Sequence, residues 1–211
     1  MKKHLLILTA ALTSFTAFAQ EDFSLKAGAG GILTANLGGG IIYDNATAAI
    51  SMENMGFGGF AFFDMTYAEL YAAFTTGYST IKIINVNDNT GLFSALNFGL
   101  LLKYPFSAGL VFLYPLAGAD YQIFLSQGDR KGKGASDEVS DLNSLWFRFG
   151  FGADFLLSDN LFIRAEAVYG IRLINEYEED LEKEARRNGA SLPEIQIGHG
   201  PIIKIGVGWI F

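Results

Sequence analysis

The stretch that decides the fold is His199-Gly200-Pro201-Ile202-Ile203-Lys204-Ile205-Gly206-Val207-Gly208-Trp209-Ile210-Phe211. From Ile203 to Phe211, every odd-numbered position carries a bulky apolar side chain. The positions between them are Gly, Lys or Ile. Successive side chains of a β-strand point to opposite faces, so this segment has one apolar face and one small or charged face. That pattern predicts a strand with lipid on one side and a polar interior on the other.

Seven further segments show the same period of two. They are 23–33, 55–65, 67–78, 96–104, 111–123, 145–157 and 161–173. In segment 55–65 the facing is ambiguous, because Phe57 and Phe63 stand at odd positions and Phe60 and Phe62 at even ones. With the last segment, the sequence predicts eight strands.

The links between these segments alternate in length. Residues 64–66, 105–108 and 158–160 are predicted as tight turns, and 34–54, 79–91, 127–143 and 175–197 as long loops. An even number of strands, with short links at one end and long links at the other, is the arrangement of outer-membrane barrels. The sequence therefore predicts an all-β, eight-stranded antiparallel transmembrane up-and-down β-barrel with short periplasmic turns and four long external loops.

The N-terminus has the pattern of an export signal. Lys2 and Lys3 precede an apolar run, and Ala17-Phe18-Ala19 fits the small-x-small cleavage rule. We expect a cleaved signal peptide over 1–19, with cleavage between Ala19 and Gln20, and a single barrel domain over 20–211. The alternative, a retained membrane anchor helix, is less favoured because Thr and Ser interrupt the apolar run.

The composition excludes several kinds of chemistry. The chain has no Cys, which excludes a disulfide framework, a lipid-modified cysteine and thiolate catalysis. Acidic residues number 22 against 15 Lys and Arg, and an acidic surface repels nucleic acid. No nucleic-acid partner is expected.

A terminal amphipathic strand that ends in Trp209 and Phe211 resembles the signal read by the barrel assembly machinery of the outer membrane. With eight strands and the cleavage pattern, the chain resembles the small outer-membrane barrels of the OmpA, OmpX and OmpW type. The resemblance implies the outer membrane of a diderm bacterium. It also implies the lipid bilayer, lipopolysaccharide or an equivalent outer-leaflet lipid, and the assembly machinery as partners.

Charged residues recur at the positions that face the lumen. They are Lys26, Glu69, Lys103, Asp120, Arg148, Asp154, Arg164, Glu166, Arg172 and Lys204. An eight-stranded barrel is just wide enough for its side chains to fill, so we expect these charges to pair, with Lys204 close to Glu166. A plugged, self-neutralised lumen is favoured, and a polar pore lining is the alternative.

No pattern predicts catalysis, a metal site or a cofactor. His199 is the only histidine beyond the leader, and two residues later stands Pro201, where some outer-membrane lipid-modifying barrels have Ser. We expect His199 to be an interfacial residue. Among the predicted loops, 128–134 forms a basic segment, and residues 176–187 predict a short external helix with acids early and bases late.

These patterns favour a non-enzymatic barrel that displays its loops at the cell surface, for envelope structure, adhesion or recognition. The alternative, which the resemblance to the OmpW type implies, is a narrow, porin-like channel or transporter for small molecules, apolar ones included. A lipid-modifying enzyme is the least favoured of the three. The sequence leaves open the ligand or partner, the openness of the lumen, the oligomeric state and the subfamily.

Overall fold

The computed structural model describes residues 24–37, 40–42, 49–83, 89–127, 143–175 and 194–211. Eight long strands carry the fold: β1 (Leu25–Asn36), β3 (Ala49–Met65), β4 (Ala68–Ile83), β5 (Asn89–Lys103), β7 (Val111–Gln127), β8 (Ser144–Leu156), β9 (Leu161–Asn175) and β11 (His199–Ile210). Three short strands accompany them: β2 (Gly40–Ile42), β6 (Phe106–Ala108) and β10 (Glu194–Gln196). No helix among the described residues is long and apolar enough to cross a membrane.

The long strands form a closed ring. Each pairs antiparallel with its neighbours in chain order, and β1 pairs with both β3 and β11. Lys26, for example, is opposite Asp64 on one side and Ile210 on the other. Closure removes the unpaired edges of an open sheet. The predicted eight-stranded antiparallel up-and-down barrel is confirmed.

One end of the barrel, here called the turn end, holds the start of β1, the end of β11 and three connections. The turns at this end are placed differently from the sequence prediction for 64–66 and 105–108. Asp64 and Met65 stay in β3, and the chain reverses at Thr66, which has a positive φ of 61°. Residues of β6 pair with the start of β7, so that reversal falls at Gly109, whose φ of 71° suits glycine.

The opposite end, here called the loop end, is also built differently from the prediction. The link expected over 79–91 is shorter, because β4 continues to Ile83 and β5 begins at Asn89. The β-branched residues Thr80, Ile81 and Ile83 favour this extension. The predicted cleavage site at Ala17, Ala19 and Gln20, the basic segment 128–134 and the predicted helix 176–187 lie outside the described residues.

The two faces of the wall differ as the period of two predicts. Outward side chains are apolar and exposed, such as Phe151 at 72% and Ile205 at 60%, whereas inward side chains are buried. In β3, where the sequence was ambiguous, Phe60 and Phe62 face inward. They fit there because glycines stand at several inner positions of β1 and β11, and a Cβ on Gly28 would come within 2.5 Å of Phe62 Cζ.

Candidate functional site

Arg164 is the centre of a buried charge cluster in the turn-end half of the lumen. Its guanidinium forms a fork with Asp154, with Nε 2.7 Å from Oδ1 and Nη2 2.8 Å from Oδ2. The same group donates to Asp64 Oδ2 at 2.5 Å and to Glu69 Oε2 at 2.5 Å. One arginine therefore binds three carboxylates, using the planar geometry that favours charge-assisted hydrogen bonds.

Three lysines complete the charge balance. Lys26 Nζ lies 2.9 Å from Asp154 Oδ2, and Lys103 is paired with Asp64. Lys204 Nζ lies 3.1 Å from Glu69 Oε1 and 2.6 Å from Glu166 Oε2. The closeness of Lys204 and Glu166 agrees with their positions as direct partners on β11 and β9.

A tyrosine joins the two carboxylates of this cluster that stand on β8 and β9. The Tyr114 hydroxyl lies 2.9 Å from Glu166 Oε1 and 3.2 Å from Asp154 Oδ1. We call the whole set the plug cluster. Its members are Lys26, Asp64, Glu69, Lys103, Tyr114, Asp154, Arg164, Glu166 and Lys204.

The plug cluster takes at least one side chain from each of the eight long strands. It contains four cationic and four anionic residues, so its formal charge is zero. Taking charges out of water is costly unless each is paired. Here the ion pairs cross the lumen and connect strands on opposite sides of the barrel.

Aromatic rings fill the space around the charges. The Arg164 guanidinium lies 4.2 Å from the centroid of Phe62, and Lys204 Nζ lies 4.2 Å from that of Tyr71. Glycines on neighbouring strands make room for rings: Gly208 is the direct strand partner of Phe162, and a Cβ there would come within 2.3 Å of the Phe162 ring. Ring, cation and glycine thus interlock across the turn-end half.

A smaller set, here called the upper triad, lies nearer the loop end. Arg148 Nε donates to Asp120 Oδ2 at 2.7 Å, and the Tyr71 hydroxyl donates to the same oxygen at 2.6 Å. Trp146 covers this set, because the Arg148 guanidinium carbon lies 4.4 Å from its ring. The upper triad is also balanced, with one cation and one anion.

Nine of the ten lumen charges proposed from the sequence are buried inside the barrel. Seven belong to the plug cluster, and Asp120 and Arg148 belong to the upper triad. The tenth, Arg172, is half-buried at the loop end opposite Trp146 and has interactions of its own.

Three participants were missed by the sequence analysis: Asp64, Tyr114 and Tyr71. Asp64 was assigned to a turn, although it has the same even parity as Phe60 and Phe62 and therefore points to the same face of the strand. Tyr114 lies at lumen parity with Gly118 and Asp120 on β7, and Tyr71 at lumen parity with Glu69 on β4. For all three residues, the parity of the position in the strand was therefore the one sequence feature that indicated a side chain in the lumen.

His199 stands on the outer wall and not in the lumen. Its Nδ1 lies 2.6 Å from the Tyr169 hydroxyl, and the two rings are stacked at a centroid distance of 5.9 Å. Pro201 follows on the same outward face. Near the other end of β11, Trp209 and Phe211 are also exposed, at 49% and 74%. Among the described residues, no group of three or more His, Asp or Glu is placed to hold a metal ion.

The comparisons with known proteins give fold-level likenesses alone. No family profile matches the chain, and no curated protein matches its sequence. The solved structures that are similar to it at low identity include three bacterial barrels. The outer membrane protease OmpT from Escherichia coli is 9% identical, with a TM-score of 0.47, over 92% of this chain and 99% of that one.

The other two structures have lower TM-scores. The N-terminal β-barrel domain of Pseudomonas aeruginosa OprF is 15% identical, with a TM-score of 0.34, over 87% of this chain and 99% of that one. The translocator domain of the autotransporter NalP from Neisseria meningitidis is 13% identical, with a TM-score of 0.28, over 99% and 96%. The barrel assignment therefore rests on the strand pairing of this chain itself.

Proposed function

We propose that the protein is a non-enzymatic outer-membrane barrel that displays its external segments at the cell surface and has no continuous water-filled path through its lumen. The observation that carries this proposal is the plug cluster. All eight strands contribute to it, and its charges cancel. The plug cluster holds the barrel wall closed at the end away from the displayed segments.

The outer face supports a membrane location. Its exposed side chains are apolar along the middle of every long strand, for example Phe98 at 49%, Phe149 at 42% and Ile205 at 60%. Soluble proteins rarely expose apolar surface of this extent. Lipid around the barrel, with lipopolysaccharide or an equivalent lipid in the outer leaflet, is the environment that suits this face.

The packing of charged side chains in the lumen supports the display of loops and argues against ion conduction. A continuous path would have to pass Arg164, which is fully buried and bonded to three carboxylates. Breaking one partner out of such a set leaves an uncompensated buried charge, at a cost of about 3–5 kcal/mol. Spontaneous opening through the turn-end half is therefore rare.

The outer wall gives the non-enzymatic part of the proposal its support. A hydrolase of the His and serine type, with the two residues two positions apart on one strand, needs the serine hydroxyl within reach of the imidazole. The ring of His199 is bonded to the Tyr169 phenol, and Pro201 occupies the next outward position on β11. This arrangement suits an interfacial pair at the membrane surface.

Epitope tags would test location and display together. One tag is inserted within residues 132–140, which belong to a predicted external loop, and its matched control between Ser158 and Asp159 in a turn. We expect antibody to label the first tag on intact cells and the second only after the outer membrane is permeabilised. Labelling of both tags or of neither on intact cells, with folded protein present, would contradict the proposed orientation.

A further inference from the structure

One side of the outer wall carries a recess of small side chains near the middle of its strands. On β1 and β3, Ala29 is the direct partner of Ala61, and Gly31 is the direct partner of Gly59. Ala72 on β4 extends the set as the other partner of Ala61, and all five residues are exposed. A Cβ on Gly31 or Gly59 would meet nothing closer than 3.9 Å or 3.7 Å. We call these five residues the hollow.

Large apolar side chains surround the hollow. Leu33 and Phe57 stand on its loop-end side at 57% and 60% exposure, and Phe63 stands on its turn-end side at 42%. Ile205 on β11, at 60%, and Leu70 on β4, at 47%, close its two flanks. The hollow is therefore a depression in the apolar wall that is bounded on four sides.

The other side of the barrel carries a projecting row of aromatic rings on β8. We call this row the ridge; its members are Phe147, Phe149 and Phe151, which are 40%, 42% and 72% exposed. On β7 their direct partners are the smaller residues Ala119, Ala117 and Pro115. On β9 the partner of Phe151 is Ala167. The Phe151 ring therefore projects beyond the residues on both sides of it.

The ridge and the hollow lie at the same depth in the wall. A row of direct cross-strand partners leads from Phe151 across β9 and β11 to Leu33 on β1. This row climbs, as the stagger of a closed barrel requires: followed around the whole ring, it leaves β7 at Pro115 and returns to it at Ser126, nearer the loop end. The position on β1 that is level with Phe151 is therefore on the turn-end side of Leu33, where the hollow lies. In a shared membrane, the ridge of one copy and the hollow of another stand at the same height.

The two surfaces also face in nearly opposite directions. Around the ring of eight long strands, β8 lies three steps from β1 and four steps from β3. A contact between two different patches is heterologous, and it builds rings or open rows of subunits, in contrast to the self-complementary patch of a two-fold dimer. Patches on opposite sides of a subunit favour an open row.

We propose that copies of this barrel associate head to tail in the plane of the outer membrane, with the ridge of one copy packed into the hollow of the next. The proposal rests on the membrane location proposed above. Lipid chains are as apolar as either surface, so association within a membrane depends on close packing, and small residues at the contact let two backbones approach. The hollow provides the small residues, and the ridge provides aromatic rings that fill the space above them.

Engineered cysteines test the contact, because the chain has no cysteine of its own. Ala61→Cys places a thiol in the hollow, and Ala167→Cys places one beside the ridge while all three rings are kept. The two full-length variants, one of them with an epitope tag, are co-expressed in a diderm host, and the isolated outer membranes are oxidised. Heat-shifted gel mobility verifies that each variant is folded.

We expect a disulfide-linked dimer of tagged and untagged chains when the two variants share a membrane, and no dimer when either is expressed alone. Leu100→Cys is the matched control for Ala61→Cys, because Leu100 is 48% exposed on β5, away from the hollow. Paired with Ala167→Cys, it should give about a tenth as much dimer, the ratio that corresponds to about 1.4 kcal/mol of contact free energy.

The contribution of the ridge is tested on the same pair of cysteine variants. Phe151→Ala, added to the Ala167→Cys chain, removes the most exposed ring and should lower the dimer yield about fivefold, the effect of one lost aromatic contact. Phe98→Ala is the comparison, because Phe98 faces outward on β5 at 49% exposure. It should leave the dimer yield unchanged.

Three results would overturn head-to-tail association and leave surface display untouched. The first is no dimer from the mixed variants when both are folded, which would mean that lipid alone covers the hollow. The second is as much dimer from one variant alone as from the mixture, which would show a two-fold contact. The third is an equal yield with Leu100→Cys, which would show chance collision.

Two further outcomes are separated by the folding check. If Phe151→Ala does not fold, the comparison of the cysteine pairs decides by itself. Absence of the folded parent protein from the outer-membrane fraction would contradict the proposed membrane location, and with it the self-association that rests on it.

Discussion

Arg164 on β9 and Glu69 on β4 stand on opposite sides of the ring of eight strands, and their side chains meet with Nη1 2.5 Å from Oε2. Four strand steps separate them in either direction around the barrel. Arg164 also binds Asp154, its direct partner on the neighbouring strand. One guanidinium thus links its own side of the wall to the far side.

Replacing Arg164 should destabilise the barrel more than an ordinary substitution. Arg164→Met leaves four acids facing three lysines and takes the cation away from Asp64, Glu69 and Asp154. We expect a loss of about 3–5 kcal/mol in the free energy of unfolding, measured by urea titration of protein in lipid vesicles. Arg164→Lys keeps the charge and should lose less. A change below about 0.5 kcal/mol for Arg164→Met, the range of neutral surface substitutions, would show that the cluster does not support the fold.

The hydroxyl of Tyr114 should contribute measurably to the plug cluster. Tyr114→Phe keeps the ring and removes the donor to Glu166 and Asp154. Hydrogen bonds to charged groups contribute about 1.5–3 kcal/mol, and we expect a loss of that size in the same urea titration. Tyr78→Phe, at an exposed outward position, provides the comparison. Equal stability of the two variants would show that the Tyr114 hydroxyl does not stabilise the plug cluster.

A methyl group should be tolerated on the outer wall and rejected in the lumen. A Cβ on Gly99 would come within 2.1 Å of Tyr71 Cε1, whereas one on Gly31 would meet nothing closer than 3.9 Å. Overpacking costs about 1–3 kcal/mol, so Gly99→Ala should destabilise by that amount. Gly31→Ala should stay within about 0.5 kcal/mol of the parent. Unfolding of both variants at the same urea concentration would mean that the lumen has room for a methyl group at Gly99.

A charge on the lipid face should be costly. Ile205 lies at the middle of β11 and is 60% exposed. Arg near the bilayer midplane of a barrel costs about 2–4 kcal/mol, so Ile205→Arg should lose that much stability in vesicles. Ser107→Arg, exposed at the turn end, should lose almost none. Equal losses for the two variants would mean that β11 does not face lipid.

Much of the fold could be predicted from the sequence, because the period of two places each side chain on one face without knowledge of its neighbours. Lys26, Lys103 and Lys204 were assigned to the lumen in this way, and all three are buried there. The ambiguous strand β3 could not be assigned, since phenylalanine stood on both faces. Its facing is decided by glycines on β1 and β11, which are distant in sequence.

The composition of the site was less predictable, because cross-lumen contacts depend on how the barrel closes. The parity that Asp64 shares with Phe60 and Phe62 becomes informative only once those rings are known to face inward. Tyr114 looked like any aromatic residue near a strand end, and its two carboxylate partners stand on β8 and β9. The length of the link over 79–91 was overestimated because the strand extends beyond the apolar pattern.

Single-channel conductance of the refolded protein in a planar bilayer tests the central claim, the sealed lumen, most directly. Insertion is verified by heat-shifted gel mobility of the same preparation. We expect no stepwise currents from the parent protein, because the plug cluster closes the turn-end half. Reproducible stepwise currents from folded protein would contradict the sealed lumen and would favour the alternative function, a narrow channel.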